Sequence, residues 1–149
     1  MTAFETTVQI IRKKALFKVF TWFTRILLAI AFIPSGLTKL LGQRFTSIGT
    51  DNQVGFFFEA LFQTGLYWNF LGFMQLLVAF MLLIPKTSFF GSILYLPIVI
   101  NIFIIVTAMG FNGTPVVAGL MLLANIYLLI WEYHKLKKIT VLIFSNRVK

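Results

Sequence analysis

The sequence contains no cysteine, a single histidine (His134) and only four acidic residues among 149. Without thiols the chain has no disulfide, thiolate metal site, iron–sulfur cluster or thiol redox chemistry of its own. With one histidine it cannot ligate a haem through two imidazoles. These absences exclude the commonest redox and metal chemistries from this chain.

Charged residues are also scarce. They make up 11% of the chain, whereas hydrophobic residues make up 59%. Soluble domains contain about 25% charged and about 45–50% apolar residues. Because a soluble fold of this size could not bury so much apolar surface, the composition predicts an integral membrane protein. The net charge of +9 comes mainly from cations near the chain ends, which indicates contact with anionic headgroups rather than nucleic acid.

Four apolar segments are each close to the length that crosses ~30 Å of hydrocarbon. They lie at residues 22–41, 66–84, 89–109 and 115–133. The predicted fold class is therefore all-α, a polytopic four-transmembrane-helix bundle formed by one membrane domain over residues 1–149. Residues 56–62 are too apolar for an open loop and too short to span, so we expect a short interfacial helix, or a re-entrant one, in the first connection.

The distribution of lysine and arginine predicts the orientation. Arg25 and Lys39 interrupt the first apolar run, so we expect an uncleaved first span rather than a signal peptide. Arg44 and Lys39 lie on one side of the predicted bundle. Ten cations lie on the other side: Arg12, Lys13, Lys14, Lys18, Lys86, Lys135, Lys137, Lys138, Arg147 and Lys149. We therefore predict a protein of the cell (inner) membrane with both termini, including the basic tail 134–149, in the cytoplasm.

Three amide side chains fall near the middle of the predicted spans: Gln75, Asn101 and Asn125. Lipid cannot satisfy their hydrogen-bonding groups. They are therefore expected either to bond between helices or to bind a carbonyl ligand such as a quinone.

Two basic residues, Arg25 and Lys39, lie near opposite ends of the first span. One interpretation is that both side chains extend to the membrane surface. The other gives each an acidic partner, Glu132 for Arg25 and Glu59 for Lys39, in two structural ion pairs that would frame an anionic or quinone headgroup. His134, beside the basic tail, is expected to be an interfacial residue.

Three segments together resemble the DoxX-like family of membrane proteins. The first begins at Arg25 and ends with the Ser-Gly-Leu-Thr-Lys run at residues 35–39; the others are residues 70–79 and 125–135. The resemblance covers roughly residues 20–137. It implies a four-helix bundle with a long first connection. Some family members are the membrane subunit of a thiosulfate:quinone oxidoreductase, and others are membrane partners, chaperones or parts of oxidative-stress complexes.

The residues leave three functions open. The first is an accessory or anchor subunit of a membrane complex that binds a quinone or a lipid and attaches to a membrane or redox partner. The second is a small oligomeric transporter or channel. The third is an enzyme acting on a membrane-soluble substrate, although the sequence offers no nucleophile or metal set and we do not expect catalysis by this chain alone. No cofactor is evident from the residues, and a quinone is the one that the resemblance implies.

Overall fold

The computed structural model of the protein describes residues 3–145. Within that range the chain forms seven α-helices and no strand. The helices are α1 (Ala3–Lys13), α2 (Ala15–Leu40), α3 (Gln53–Gln63), α4 (Leu66–Leu83), α5 (Ser88–Ala108), α6 (Thr114–Trp131) and α7 (Tyr133–Ser145). The predicted all-α fold class is therefore confirmed for the described residues.

Four of these helices, α2, α4, α5 and α6, are long and apolar enough to cross a membrane. They match the four predicted spans, although α2 begins at Ala15 rather than at residue 22. Turn residues separate them: Gly110 and Gly113 both have positive φ angles, of 66° and 75°, which glycine adopts without steric cost. Pro115 follows in the first turn of α6, where its missing N–H is not needed.

The four long helices form a closed arrangement in which α4 and α6 each pack against both α2 and α5. Apolar side chains from all four helices meet along its axis. Phe32 of α2 and Tyr95 of α5 stack at 4.1 Å between ring centroids across the middle. The rest of the buried core is Leu28, Ala29, Val78, Ala79, Leu82, Val99 and Leu128.

The contact between α2 and α4 is unusually close at two glycines. A Cβ atom built on Gly72 would lie 2.6 Å from the carbonyl oxygen of Gly36 and 2.4 Å from the backbone nitrogen of Leu40. Small residues at helix interfaces allow backbones to approach in this way. Gly36 and Gly72 thus bring the two helices together near the end of α2.

The outer surface of the long helices is apolar. In the most hydrophobic stretch of each, only 22% to 33% of the residues are buried. The exposed side chains on α4, for example, include Leu66, Phe70, Phe73 and Phe80. Soluble monomers rarely expose a continuous apolar surface of this extent.

The three short helices pack at the ends of the bundle. Helix α3 occupies the position predicted for the interfacial helix, begins with Asn52 as its N-cap and contacts α4. Helices α1 and α7, which the sequence analysis did not predict as separate helices, contact α2 and α6 respectively. Arg147 and Lys149, counted in the basic tail, lie outside the described residues.

Candidate functional site

The carboxylate of Glu132 lies at the junction of α6 and α7 and is almost completely buried. It has three cations and one imidazole at ion-pair distance. Lys135 Nζ lies 3.2 Å away, Arg25 Nη2 3.5 Å, Arg12 Nη2 3.7 Å and His134 Nε2 3.9 Å. Glu132 therefore joins α1, α2, α6 and α7 at one end of the bundle.

The structure contains the Arg25–Glu132 pair that the sequence predicts. Both side chains are buried, and Trp22 lies 5.8 Å from the guanidinium carbon of Arg25. Within the described residues, Nε of Arg25 and Oε2 of Glu132 have no hydrogen-bond partner. The two charges are thus neutralised by proximity rather than by a bidentate hydrogen-bonded geometry, and each remains costly to bury without the other.

His134 belongs to the same cluster. Arg12 Nη1 lies 2.6 Å from its Nδ1 atom, and because arginine can only donate, Nδ1 must accept. Partial burial lowers the pKa of His134 below its ordinary value; the charges of Arg12, Lys135 and Lys138 lower it further, and Glu132 opposes them. A lowered pKa favours the neutral imidazole, in agreement with an Nδ1 atom that accepts.

Arg12 and Lys135 were not among the predicted partners of Glu132. Lys135 follows Glu132 by three positions, a spacing that places charges side by side on a helix and was visible in the sequence. Arg12 lies in α1, far away along the chain, and its contact with Glu132 depends on how α1 folds back. No local signal indicates that contact.

At the opposite end of the bundle, Lys39 is buried and faces aromatic rings. Its Nζ atom lies 4.4 Å from the centre of the Phe45 ring and 5.2 Å from that of Trp68. It also donates to the backbone carbonyl of Ser35 at 3.3 Å and to the Ser35 hydroxyl. The positive charge is therefore held by a serine and two rings.

The predicted Lys39–Glu59 pair is wrong. Glu59 instead accepts two hydrogen bonds from Arg44, at 2.8 Å from Nε and 3.0 Å from Nη2, and a third from Gln63 at 3.2 Å. These bonds lower the pKa of Glu59. The planar fork of arginine fits a carboxylate better than an ammonium does, whereas the Lys39 side chain turns back along α2 toward the preceding turn.

Two of the three central amides form interhelical hydrogen bonds. The Gln75 side-chain oxygen accepts from the Ser35 hydroxyl at 3.3 Å, which connects α4 to α2 and places Gln75 next to the Lys39 contact. Asn125 is fully buried, and its Nδ2 atom donates to the Ser92 carbonyl of α5 at 3.1 Å. Gln75 and Asn125 thus fit the interhelical interpretation.

Asn101 does not join them. Its side chain is exposed on the outside of α5, so Gln75, Asn101 and Asn125 do not converge at one place in the bundle. Equal depth does not fix rotation about a helix axis. Two residues beyond the buried Val99, Asn101 is turned by about 200° from the core, since successive residues turn by about 100° in an α-helix.

Two further polar atoms are buried without a hydrogen-bond partner in the described part of the chain. They are the Tyr95 hydroxyl and the Asn125 side-chain oxygen. Most buried polar groups in folded proteins are bonded. Tyr95 was not among the predicted site residues, because in the sequence it is indistinguishable from an ordinary apolar core position.

Comparisons with known proteins add one relative. No family model and no solved structure matches the chain. The uncharacterized protein YwoB of Bacillus subtilis (strain 168) is 32% identical over 87 residues, covering 54% of this chain and 56% of that protein. The chain thus spans little more than half of that relative's length. The DoxX-like resemblance stays a prediction.

Proposed function

We propose that the protein is a DoxX-like multi-pass protein of the cell (inner) membrane that serves as an accessory or anchor subunit of a membrane complex. Its four long helices carry exposed apolar side chains over most of their surface. Lipid is the solvent that such a surface requires. In the proposed orientation across the membrane, both ends of the chain lie in the cytoplasm, because lysine and arginine are most frequent on that side of the bundle.

Asn101 is the observation that carries the anchor role. Its side chain is exposed on α5 and has no hydrogen-bond partner among the described residues. It lies roughly 20 Å along the helix from Ser88, at a rise of 1.5 Å per residue, and therefore deep in the hydrocarbon. An unsatisfied polar group at that depth costs several kcal/mol.

The surroundings of Asn101 favour contact with a helix of another membrane protein. Leu94 and Ile104 are exposed on the same side of α5, so the amide would be an isolated polar group in an apolar surface. A partner side chain that accepts and donates hydrogen bonds at the same depth would satisfy it. We therefore assign this side of α5 to the subunit contact.

The quinone proposal has less support than the anchor proposal. The three amides that suggested a carbonyl site do not converge, and Gln75 and Asn125 are engaged between helices. A bound quinone is then implied by the resemblance alone. Any redox chemistry would belong to the partner subunit.

The test compares complexes purified in mild detergent from the protein's own membranes. Native mass spectrometry of the wild type, Asn101→Leu and Asn101→Gln reports what accompanies the chain. We expect a stoichiometric membrane partner that Asn101→Leu loses and Asn101→Gln retains, since glutamine keeps the amide. Leu123→Ile, an exposed apolar exchange on α6 and therefore outside the assigned side of α5, is the matched control and should keep the partner.

Two results would contradict the anchor role. A protein that carries only bulk lipid in all variants would remove the case for a partner at α5. A homo-oligomer that dissociates in Asn101→Leu would instead favour the small oligomeric transporter or channel, and uptake into proteoliposomes would then be the next measurement.

A further inference from the structure

A groove between α1 and α7 opens beside the Glu132 cluster. Its volume is about 810 Å³, and it lies at the end of the bundle where α2 begins and α6 ends. Val8 and Arg12 line it from α1, and His134, Lys137, Lys138 and Leu142 line it from α7. Under the proposed membrane orientation, this is the level of the cytoplasmic headgroups.

The groove combines two chemical surfaces. One part is cationic, with Arg12, Lys137 and Lys138. The other part is apolar, and Val141 and Leu142 are more than half exposed. A phosphate group fits the first surface and a hydrocarbon chain fits the second.

Arg12 is held in place for such a ligand. One of its terminal nitrogens contacts His134 Nδ1 at 2.6 Å, the other lies 3.7 Å from Glu132, and its guanidinium carbon is 5.5 Å from the Trp131 ring. Because these contacts fix the side chain before binding, less rotamer entropy is lost when a phosphate arrives. A buried carboxylate therefore positions a cation that faces the groove.

We propose that this groove binds the headgroup of an anionic phospholipid, such as phosphatidylglycerol or cardiolipin, with its acyl chains against Val8, Val141 and Leu142. The proposal rests on the membrane placement proposed above. Free phosphate carries the same charged group as the headgroup, but it has no hydrocarbon chain that could contact the apolar part of the groove. An acidic peptide would need partners for its backbone, and the backbone groups of α1 and α7 are largely engaged within these helices.

The experiment uses the full chain in detergent and two charge-matched double variants. Lys137→Gln with Lys138→Gln removes two cations from the groove. Lys13→Gln with Lys14→Gln removes two exposed cations at the same end of the bundle but outside the groove. Native mass spectrometry and thermal shifts are recorded with phosphatidylglycerol, cardiolipin, phosphatidylcholine, inorganic phosphate and an acidic peptide.

We expect a retained phosphatidylglycerol or cardiolipin adduct, and roughly tenfold weaker binding in the groove variant, since a juxtamembrane cation near an anionic surface contributes measurably to lipid binding. The Lys13/Lys14 control should change affinity less than twofold. Melting without lipid shows that the groove variant is folded.

Equal losses in both double variants would overturn the proposal, because they would mean general attraction to a charged surface. Binding of phosphate or of the acidic peptide as tight as that of the lipid would overturn it too. Alkaline extraction of membranes separates this failure from that of the proposed function. A protein that stays in the membrane but does not select anionic lipid contradicts only the groove, whereas one that is extracted contradicts both.

Discussion

Buried charge is the residue-scale feature that most affects stability. Glu132 is a single carboxylate facing Arg12, Arg25 and Lys135, whereas Arg25 has Glu132 as its only acidic contact in the described residues. We expect Glu132→Gln to lower the melting temperature in detergent strongly, and Arg25→Gln to lower it less. Breaking a buried pair costs about 3–5 kcal/mol, and removing the acid leaves more than one cation uncompensated.

The combined variant tests whether the two groups interact. Its loss should be clearly smaller than the sum of the single losses, because either change alone already breaks the contact. Asp51→Asn, which alters an exposed acid, should leave melting almost unchanged. Strict additivity would show that the 3.5 Å contact contributes nothing to stability.

Removal of the Tyr95 hydroxyl, unlike removal of the buried charges, is not expected to destabilise the protein. It is buried without a partner in the described part of the chain, so Tyr95→Phe should leave the free energy of unfolding unchanged or raise it by up to about 1 kcal/mol. Tyr95→Leu also removes the stacking on Phe32 and should be destabilising. A large loss in Tyr95→Phe, measured by thermal melting in detergent, would mean that the hydroxyl has a bonded ligand or water.

A contact between two charged side chains was predictable where their depth in the membrane and the sign of their charges left one possible partner. Arg25 and Glu132 lie near the same end of their predicted spans, and Glu5, the other acid on that side, lies outside the spans. Glu59 had two basic candidates, and the nearer one along the chain, Arg44, has the better geometry. The outward orientation of the Asn101 side chain was not predictable. Helix α5 is apolar on all sides, so its sequence does not indicate which face points toward the core.

At the scale of helices, length and hydropathy located the four long segments to within two residues at each boundary, except that α2 begins at Ala15 rather than at residue 22. Continuous apolar runs of this length have few alternatives. Helices α1 and α7 were missed because they mix charged, polar and apolar residues. Both are short, with 11 and 13 residues, and isolated helices of that length are marginal in water, so composition alone does not determine their helical form.

The contact between α2 and α4 leads to a prediction about glycine. Gly72→Ala should destabilise the protein by about 1–3 kcal/mol, because the new methyl group would meet backbone atoms that cannot move aside. Gly119→Ala is the control: its Cβ would lie 3.4 Å from the Phe103 ring, an ordinary contact. Since alanine favours helix over glycine by about 1 kcal/mol, that variant should melt at the same temperature or higher.

Equal effects of the two glycine variants would contradict this account. Thermal melting in detergent measures both, and circular dichroism shows whether each variant keeps its helical content. If Gly119→Ala also destabilised the protein, α5 and α6 would have to pack as closely as α2 and α4 do.

For the whole molecule, the absence of cysteine makes orientation directly measurable. Single cysteines at Lys86, Ser47 and Asn112 introduce one thiol each at exposed positions between the long helices. In intact cells we expect a membrane-impermeant maleimide to label Ser47→Cys and Asn112→Cys. Lys86→Cys should react only after permeabilisation, because the turn between α4 and α5 lies on the side rich in cations.

The reverse labelling pattern would invert the proposed topology and place the α1–α7 groove outside. Labelling of all three positions in intact cells would contradict membrane embedding. The cysteine-free parent is the control for background reaction. The predicted orientation rests on the different numbers of lysine and arginine residues on the two sides of the bundle. Cysteine labelling is the measurement that tests it.

The pairing of Arg25 with Glu132 has a consequence for biosynthesis. In the proposed topology, α2 leaves the ribosome about a hundred residues before Glu132 is made. At about 5–20 residues per second, this delay is on the order of 5–20 s. During that time Glu132, the acid that pairs with Arg25 in the described residues, has not been made, so we expect the first span to wait near the cytoplasmic surface or beside the insertion machinery. The bundle can close around this charge only after its last long helix has arrived.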